Sequence, residues 1–118
     1  MKIVISSLLV GLMLACCSTF SALNSNTSIK PNDSFLLGNN EHGKFHVKLK
    51  NMSNHAIDIY LAPITGGTYS RQTVQVNQEI TTSVEKNTAM VIENKSAEYA
   101  SVDLKVTGDL GLAMTYKN

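Results

Sequence analysis

Apolar and polar residues alternate along most of the chain from Lys44 onward, the pattern of half-buried β-strands. The alternation is clearest in residues 44–50, where every second position is apolar and the positions between carry lysines and a histidine. The same period of two recurs, more weakly in places, at 56–62, 71–76, 79–85, 99–107 and 110–116. Residues 88–93 are apolar on both faces, which predicts a central strand.

Short clusters of Asn, Gly, Pro and Ser separate these segments and predict turns. No window of twelve residues outside the N-terminal segment carries a helical period of 3.6. Seven one-sided strands bury their apolar faces best as two packed antiparallel sheets. The sequence therefore predicts an all-β fold, a single small antiparallel β-sandwich over residues 41–118. Residues 35–37 could add an eighth, edge strand.

Residues 1–17 have the form of a signal peptide. Lys2 precedes a short apolar stretch that ends at Ala15, followed by Cys16 and Cys17. The stretch is shorter than the roughly 20 residues that cross a membrane. The segment predicts export, and no second apolar run of this kind follows it.

The end of this segment has two interpretations. Leu14-Ala15 before a cysteine resembles a bacterial lipobox, which would place a lipid on Cys16 or Cys17. Ordinary cleavage after Ser21 or Ala22 is the alternative. Residues 18–40 are rich in Ser, Asn and Thr, which predicts a flexible tether between a membrane and the folded domain.

Composition excludes several classes of function. Ten Lys and Arg balance nine Asp and Glu, and one of the lysines lies in the signal, so nucleic acid is not an expected partner. The only two cysteines also lie in the signal, so the domain has no disulfide and no thiolate metal site. No motif for a cofactor is present. Asn-x-Ser triplets begin at Asn26, Asn32, Asn51 and Asn94 and would be glycosylation acceptors in a eukaryotic source, but a chain rich in both residue types produces such triplets by chance.

The chain carries no recognisable catalytic or metal-binding constellation. No G-x-S-x-G nucleophile motif is present. His42 and His46 are spaced like a helical metal pair, but on a strand four residues separate them by about 13 Å, too far for one ion. We therefore expect neither a metal site nor an enzyme.

Three features are candidates for binding. Tyr60 and Tyr99 fall out of phase with their apolar neighbours, so both rings are expected at the surface. The loop 63–69 contains adjacent glycines, and loops at a sandwich end commonly recognise ligands. Alternate residues of 44–50 form a basic stripe, for which a solvated sheet face is the simpler interpretation. The candidate binding residues are Tyr60, Thr65, Gly66, Gly67, Tyr69 and Tyr99.

The order of signal, tether and short strands resembles that of small bacterial envelope lipoproteins with an Ig-like or jelly-roll domain. The resemblance implies a membrane-anchored, non-catalytic binding or structural module whose partner is a protein or glycan of the cell envelope. The alternative is a periplasmic or secreted soluble protein, a small inhibitor or effector that acts through the 63–69 loop. Pro63–Gly67 is similar to a loop of chagasin-like cysteine-protease inhibitors, but that family's tryptophan-bearing loop is missing, so its activity is not carried over.

Overall fold

The computed structural model of the protein describes residues 22–118. The predicted signal peptide and the two lipidation candidates, Cys16 and Cys17, lie outside these residues. The described part of the chain forms nine strands: β1 (Leu23–Ile29), β2 (Ser34–Leu37), β3 (Phe45–Asn51), β4 (Ile57–Pro63), β5 (Tyr69–Val74), β6 (Glu79–Val84), β7 (Thr88–Glu93), β8 (Ala100–Gly108) and β9 (Met114–Tyr116).

The strands form two antiparallel sheets. The four-stranded sheet has the order β1-β8-β3-β6, and the five-stranded sheet has the order β5-β4-β7-β2-β9. The inward-facing apolar side chains of both sheets make one core, in which Phe45, Leu49 and Ile92 are fully buried. The predicted all-β sandwich is confirmed. Strand β7 is the middle strand of its sheet, and its residues from Thr88 to Ile92 are buried on both faces, as its sequence predicted.

The predicted flexible tether is wrong over most of its length. All seven residues of β1 pair with β8, from Leu23 opposite Val106 to Ile29 opposite Ala100. The segment looked like a linker because β1 is an edge strand whose outward positions carry Asn and Ser, while its last inward side chains are buried. The prediction that residues 35–37 form an edge strand is also wrong, since β2 lies between β7 and β9. The folded domain therefore includes the chain from Leu23 onward and not only residues 41–118, and its described part has nine strands instead of seven.

The antiparallel strands place the connections at two opposite ends of the sandwich. We call the end where β1 begins the proximal end; it carries the connections 38–44, 64–68, 85–87 and 109–113. The distal end carries 30–33, 52–56, 75–78 and 94–99. Seven residues of β4 separate the two ends, which corresponds to about 20 Å.

The proximal end contains one close backbone approach. Gly108, at the end of β8, has a φ of +95°, a conformation that favours glycine. A Cβ at this position would lie 2.9 Å from the carbonyl oxygen of Lys44 and 3.0 Å from the Cα of Phe45. The nearby Asp109 side chain accepts hydrogen bonds from the backbone N–H groups of Gly43 and Gly111. These backbone bonds lower the pKa of Asp109 and join two proximal connections.

Candidate functional site

Tyr99 is the most exposed large apolar side chain of the described residues, with 63% of its surface accessible. It lies on the distal connection between β7 and β8. Two further exposed apolar side chains, Met52 and Val76, lie on the neighbouring distal connections that follow β3 and precede β6. We call Met52, Val76 and Tyr99 the distal patch. Because β8, β3 and β6 are adjacent in one sheet, these three residues lie side by side across its distal edge.

Backbone and side-chain hydrogen bonds hold the connections of the distal patch in place. The N–H of Met52 donates to the carbonyl of Ser101, 2.8 Å away. The Ser53 hydroxyl accepts from the N–H of Ser101 at 2.7 Å and lies 3.1 Å from that residue's carbonyl oxygen. The N–H of Asn77 donates to the carbonyl of Asn51 at 2.9 Å. The backbone that carries the patch is thus fixed before any partner binds, which lowers the entropic cost of association.

Buried asparagines form the core of this distal scaffold. Asn51 is fully buried, and its Nδ2 donates to the carbonyls of His55 (2.9 Å) and Val74 (3.1 Å). Its Oδ1 accepts from the N–H of Ser53 at 2.9 Å, an Asx turn. Asn94, also fully buried, makes the same turn with the N–H of Ser96 at 3.0 Å. The asparagines at these two positions therefore have a structural role, because each closes a turn on the backbone N–H of its second neighbour.

The 63–69 loop lies at the proximal end, as the tip of the β4–β5 hairpin. Gly66 and Gly67 have φ angles of +123° and +78°, and no heavy atom lies within 4 Å of a Cβ built on either. Thr65 is exposed, and Ile64 and Tyr69 are 40% and 43% exposed. The loop is an open, partly apolar tip.

The candidate binding residues therefore do not form one site. Tyr99 is distal, whereas Thr65, Gly66, Gly67 and Tyr69 are proximal, a strand length away. The sequence missed Met52 and Val76. Met52 is an apolar residue inside a predicted turn, a signal that could have indicated it, whereas Val76 was assigned to the strand 71–76, and the structure ends that strand at Val74. The distal patch became visible only when strand order brought three distant connections together.

Tyr60 belongs to a third surface, the outer face of the five-stranded sheet. It is half-buried, because the guanidinium carbon of Arg71 lies 4.5 Å above its ring centroid. Arg71 also contacts Asp58 Oδ2 at 3.1 Å and Glu93 Oε1 at 2.9 Å, and the Lys95 ammonium lies 3.1 Å from the same Asp58 oxygen. Asp58 and Glu93 are direct cross-strand partners, so these cations neutralise a like-charged pair.

The surroundings of Asp58 lower its pKa. Partial burial raises the pKa, but hydrogen bonds from Lys95, Thr73 and Arg71, together with the charge of Lys95, outweigh it. The Arg71 pKa is raised, first by its hydrogen bond to Glu93. Every group in this cluster has a partner within the cluster, so Tyr60 and its neighbours form a structural network on the sheet face.

The histidines contact different parts of the chain. The His42 ring nitrogens face the carbonyl oxygens of Gly43 (2.5 Å) and Thr88 (2.8 Å), and its ring packs edge-on against Phe45. His46 contacts the Ser83 hydroxyl at 2.9 Å on the outer face of β3. Within residues 22–118 no group of three or more His, Cys, Asp or Glu side chains is arranged to hold a metal ion. The same residues include no helix long and apolar enough to cross a membrane.

Comparisons with known proteins support the fold. No protein-family model matches the chain, and no curated protein matches it. The sandwich is similar to procruciferin, an 11S globulin from Brassica napus, with a TM-score of 0.54 and 13% identity over 80% of this chain. It is also similar to the Yersinia pseudotuberculosis-derived mitogen, with a TM-score of 0.51 and 14% identity over 80% of this chain and 95% of that one. This chain covers 22% of the globulin's length. The domain is therefore a jelly-roll-like β-sandwich, and at these identities the likeness extends to the fold alone.

Proposed function

We propose that this chain is an exported, non-catalytic binding module of the bacterial cell envelope, anchored by a lipid on Cys16 or Cys17. Its partner is a protein bound through the distal patch. The observation that carries this proposal is the juxtaposition of Met52, Val76 and Tyr99 at the distal end. Aromatic residues and methionine are enriched in protein interfaces, where a few of them supply most of the binding energy.

The start of β1 supports an orientation for the anchored protein. Five residues, 18–22, lie between Cys17 and Leu23. Fully extended, the chain from Cys17 to Leu23 reaches about 20 Å. A lipid on Cys17 would therefore keep the proximal end close to the bilayer. The distal patch would then point away from the membrane, toward partners in the surrounding compartment.

A second candidate function rests on the 63–69 loop. The open tip at Gly66 and Gly67 and the exposed Ile64 and Tyr69 suit insertion into a cleft of another protein. This supports a secreted inhibitor or effector. The loop lies at the same end of the sandwich as the start of β1, so a lipid anchor would keep it on the membrane side of the domain, where access to a soluble enzyme is restricted. Cleavage after Ser21 or Ala22 would leave it accessible. A lipid on the mature chain would therefore favour the envelope binding module, and a mature chain without a lipid would favour the inhibitor or effector.

A site-specific crosslinking experiment tests the distal patch. A photoreactive amino acid would replace Tyr99 in the full chain expressed in its host, and the matched control would carry it at Tyr69, an exposed tyrosine of the 63–69 loop. We expect a discrete adduct from position 99 that disappears in a Met52→Ser, Val76→Ser background. Adducts from position 69 alone would instead favour the inhibitor or effector function. Unchanged adducts from position 99 in the double variant would refute the role of the patch.

A further inference from the structure

The outer face of the four-stranded sheet contains an open hollow of about 470 Å³. Side chains of β1, β8, β3 and β6 surround it, among them Asn24, Asn26, Lys48, Lys50, Asp103 and Lys105. Glu79 completes its rim. We call this feature the polar hollow. Its volume lies in the range of small-molecule sites, but the side chains that line it are polar or charged apart from the buried Leu104.

The charges in the polar hollow are not balanced by the protein. Lys48 and Lys105 are direct cross-strand partners, and like charges in that position destabilise a sheet. Glu79 neutralises Lys48 at 3.3 Å. Lys105 has no carboxylate within ion-pair distance among residues 22–118. Lys50 also forms no ion pair there, but it lies directly opposite Asp103 on β8 and Glu79 on β6. Three lysines thus face two carboxylates in one concavity.

The other sheet shows how the same chain treats a like-charged pair that has only a structural role. There, Arg71 forms ion pairs with both Asp58 and Glu93, and Lys95 forms a second one with Asp58, so both carboxylates are neutralised. No carboxylate of the described residues forms an ion pair with Lys105. The one nearby acid on its own strand, Asp103, accepts a hydrogen bond from Asn26 at 2.7 Å. The uncompensated positive charge is therefore left for a ligand.

From these observations we infer that the polar hollow binds a sugar that carries an acidic group. The acidic group would lie between Lys48 and Lys105 and replace the missing counter-charge. Hydroxyl groups would donate to Asp103 and Glu79 and accept from the Asn24 amide. This site is independent of the distal patch, which lies on the connections at the sandwich end.

Amide chemical shifts of the mature protein, titrated with glucuronate, glucose and sodium phosphate in turn, test the inference. Glucuronate is expected to saturate shifts around Lys48 and Lys105, with a Kd on the order of 1 mM. Glucose should bind more weakly, because it lacks the charge, and phosphate more weakly, because it lacks the hydroxyl groups. Added NaCl should weaken glucuronate binding, because the lysines are exposed.

The matched variants are Lys105→Met in the polar hollow and Lys86→Met in the turn before β7. Lys105→Met should weaken glucuronate binding about tenfold or more, since a charge-assisted hydrogen bond is lost. Lys86→Met should leave it unchanged, and Lys50→Met provides a second variant within the hollow. Glucose binding as tight as glucuronate binding, or unchanged affinity in both hollow variants, would overturn the inference. Phosphate as tight as glucuronate would overturn the assignment of a sugar.

Discussion

Replacing the buried Asn94 with alanine should strongly destabilise the domain. Asn94 is fully buried, and its Nδ2 lies 3.0 Å from the carbonyl oxygen of Ile29, 3.1 Å from that of Lys30 and 2.8 Å from that of Glu98. Alanine fills less space and donates nothing to these carbonyls. The side chain thus links the end of β1 to the connection before β8, and the variant loses these hydrogen bonds.

The magnitude follows from the groups left without partners. A buried polar group that loses its hydrogen bond costs about 1–3 kcal/mol. The bond to Ile29 is buried, whereas those to Lys30 and Glu98 are partly buried and can be replaced by water in part. We therefore expect Asn94→Ala to lower the free energy of unfolding by about 2–4 kcal/mol. With a urea m-value of about 1.5 kcal/mol/M, the unfolding midpoint falls by roughly 2 M.

Asn94→Asp separates hydrogen bonding from packing. Aspartate has the same shape, but at pH 7 it places a carboxylate oxygen opposite three carbonyl oxygens in place of a donor. This variant should be less stable than Asn94→Ala at pH 7. Burial opposite three carbonyl oxygens raises the pKa of the new carboxylate in the folded state, so the variant should recover part of the loss as the pH falls from 7 to about 4. Urea unfolding, followed by circular dichroism at both pH values, measures the difference.

Asn54 provides the matched control, because it is exposed on the connection after β3. Its replacement by Ala or Asp should change the free energy of unfolding by less than about 0.5 kcal/mol. The reasoning is refuted if Asn94→Ala remains within that margin, or if Asn94→Asp and Asn94→Ala are equally stable at pH 7.

Three further changes test other parts of the structure. Asp58→Asn should destabilise the domain at pH 7. Because folding lowers the Asp58 pKa, the wild type begins to lose this contribution as pH falls below about 4, and urea unfolding of the two proteins should converge only at pH values below the lowered folded-state pKa. Lys105→Thr removes a like-charged cross-strand pair and should stabilise by about 0.2–1 kcal/mol in urea; a lower unfolding midpoint would contradict this. Gly108→Ala should lower Tm sharply, because its Cβ meets backbone atoms of 44–45, and a Tm within experimental error of wild type would contradict the close approach.

The sequence was sufficient to predict strands in which a two-residue period coincides with burial. In β3, β4 and β8 the apolar positions lie in the core and the polar positions at the surface, as predicted. Strand β1 could not be predicted in this way. Its sequence, LNSNTSI, is mostly polar, and the backbone pairing with β8 that makes it a strand leaves no mark in composition. A polar edge strand and a linker look alike until the pairing partner is known.

Features that depend on contacts between residues far apart in the sequence could not be predicted from the pattern of apolar and polar positions. The ion pairs of Arg71 require the register that places Asp58 opposite Glu93. The distal patch requires the strand order β8-β3-β6. The buried asparagines are indistinguishable by type from the many exposed ones, because only the fold determines which Asn amide meets carbonyls instead of water. Exposure of Tyr99, by contrast, followed from its phase relative to β8 alone.

The mass of the mature protein, purified from membrane and soluble fractions of its native host, tests the central proposal of an anchored envelope module most directly. The proposal predicts a diacyl or triacyl adduct on Cys16 or Cys17 in the membrane fraction, with the proximal end at the bilayer. An unmodified chain that begins at Ala22 or Leu23 in the soluble fraction would contradict it. That result would favour a secreted inhibitor or effector with an accessible 63–69 loop.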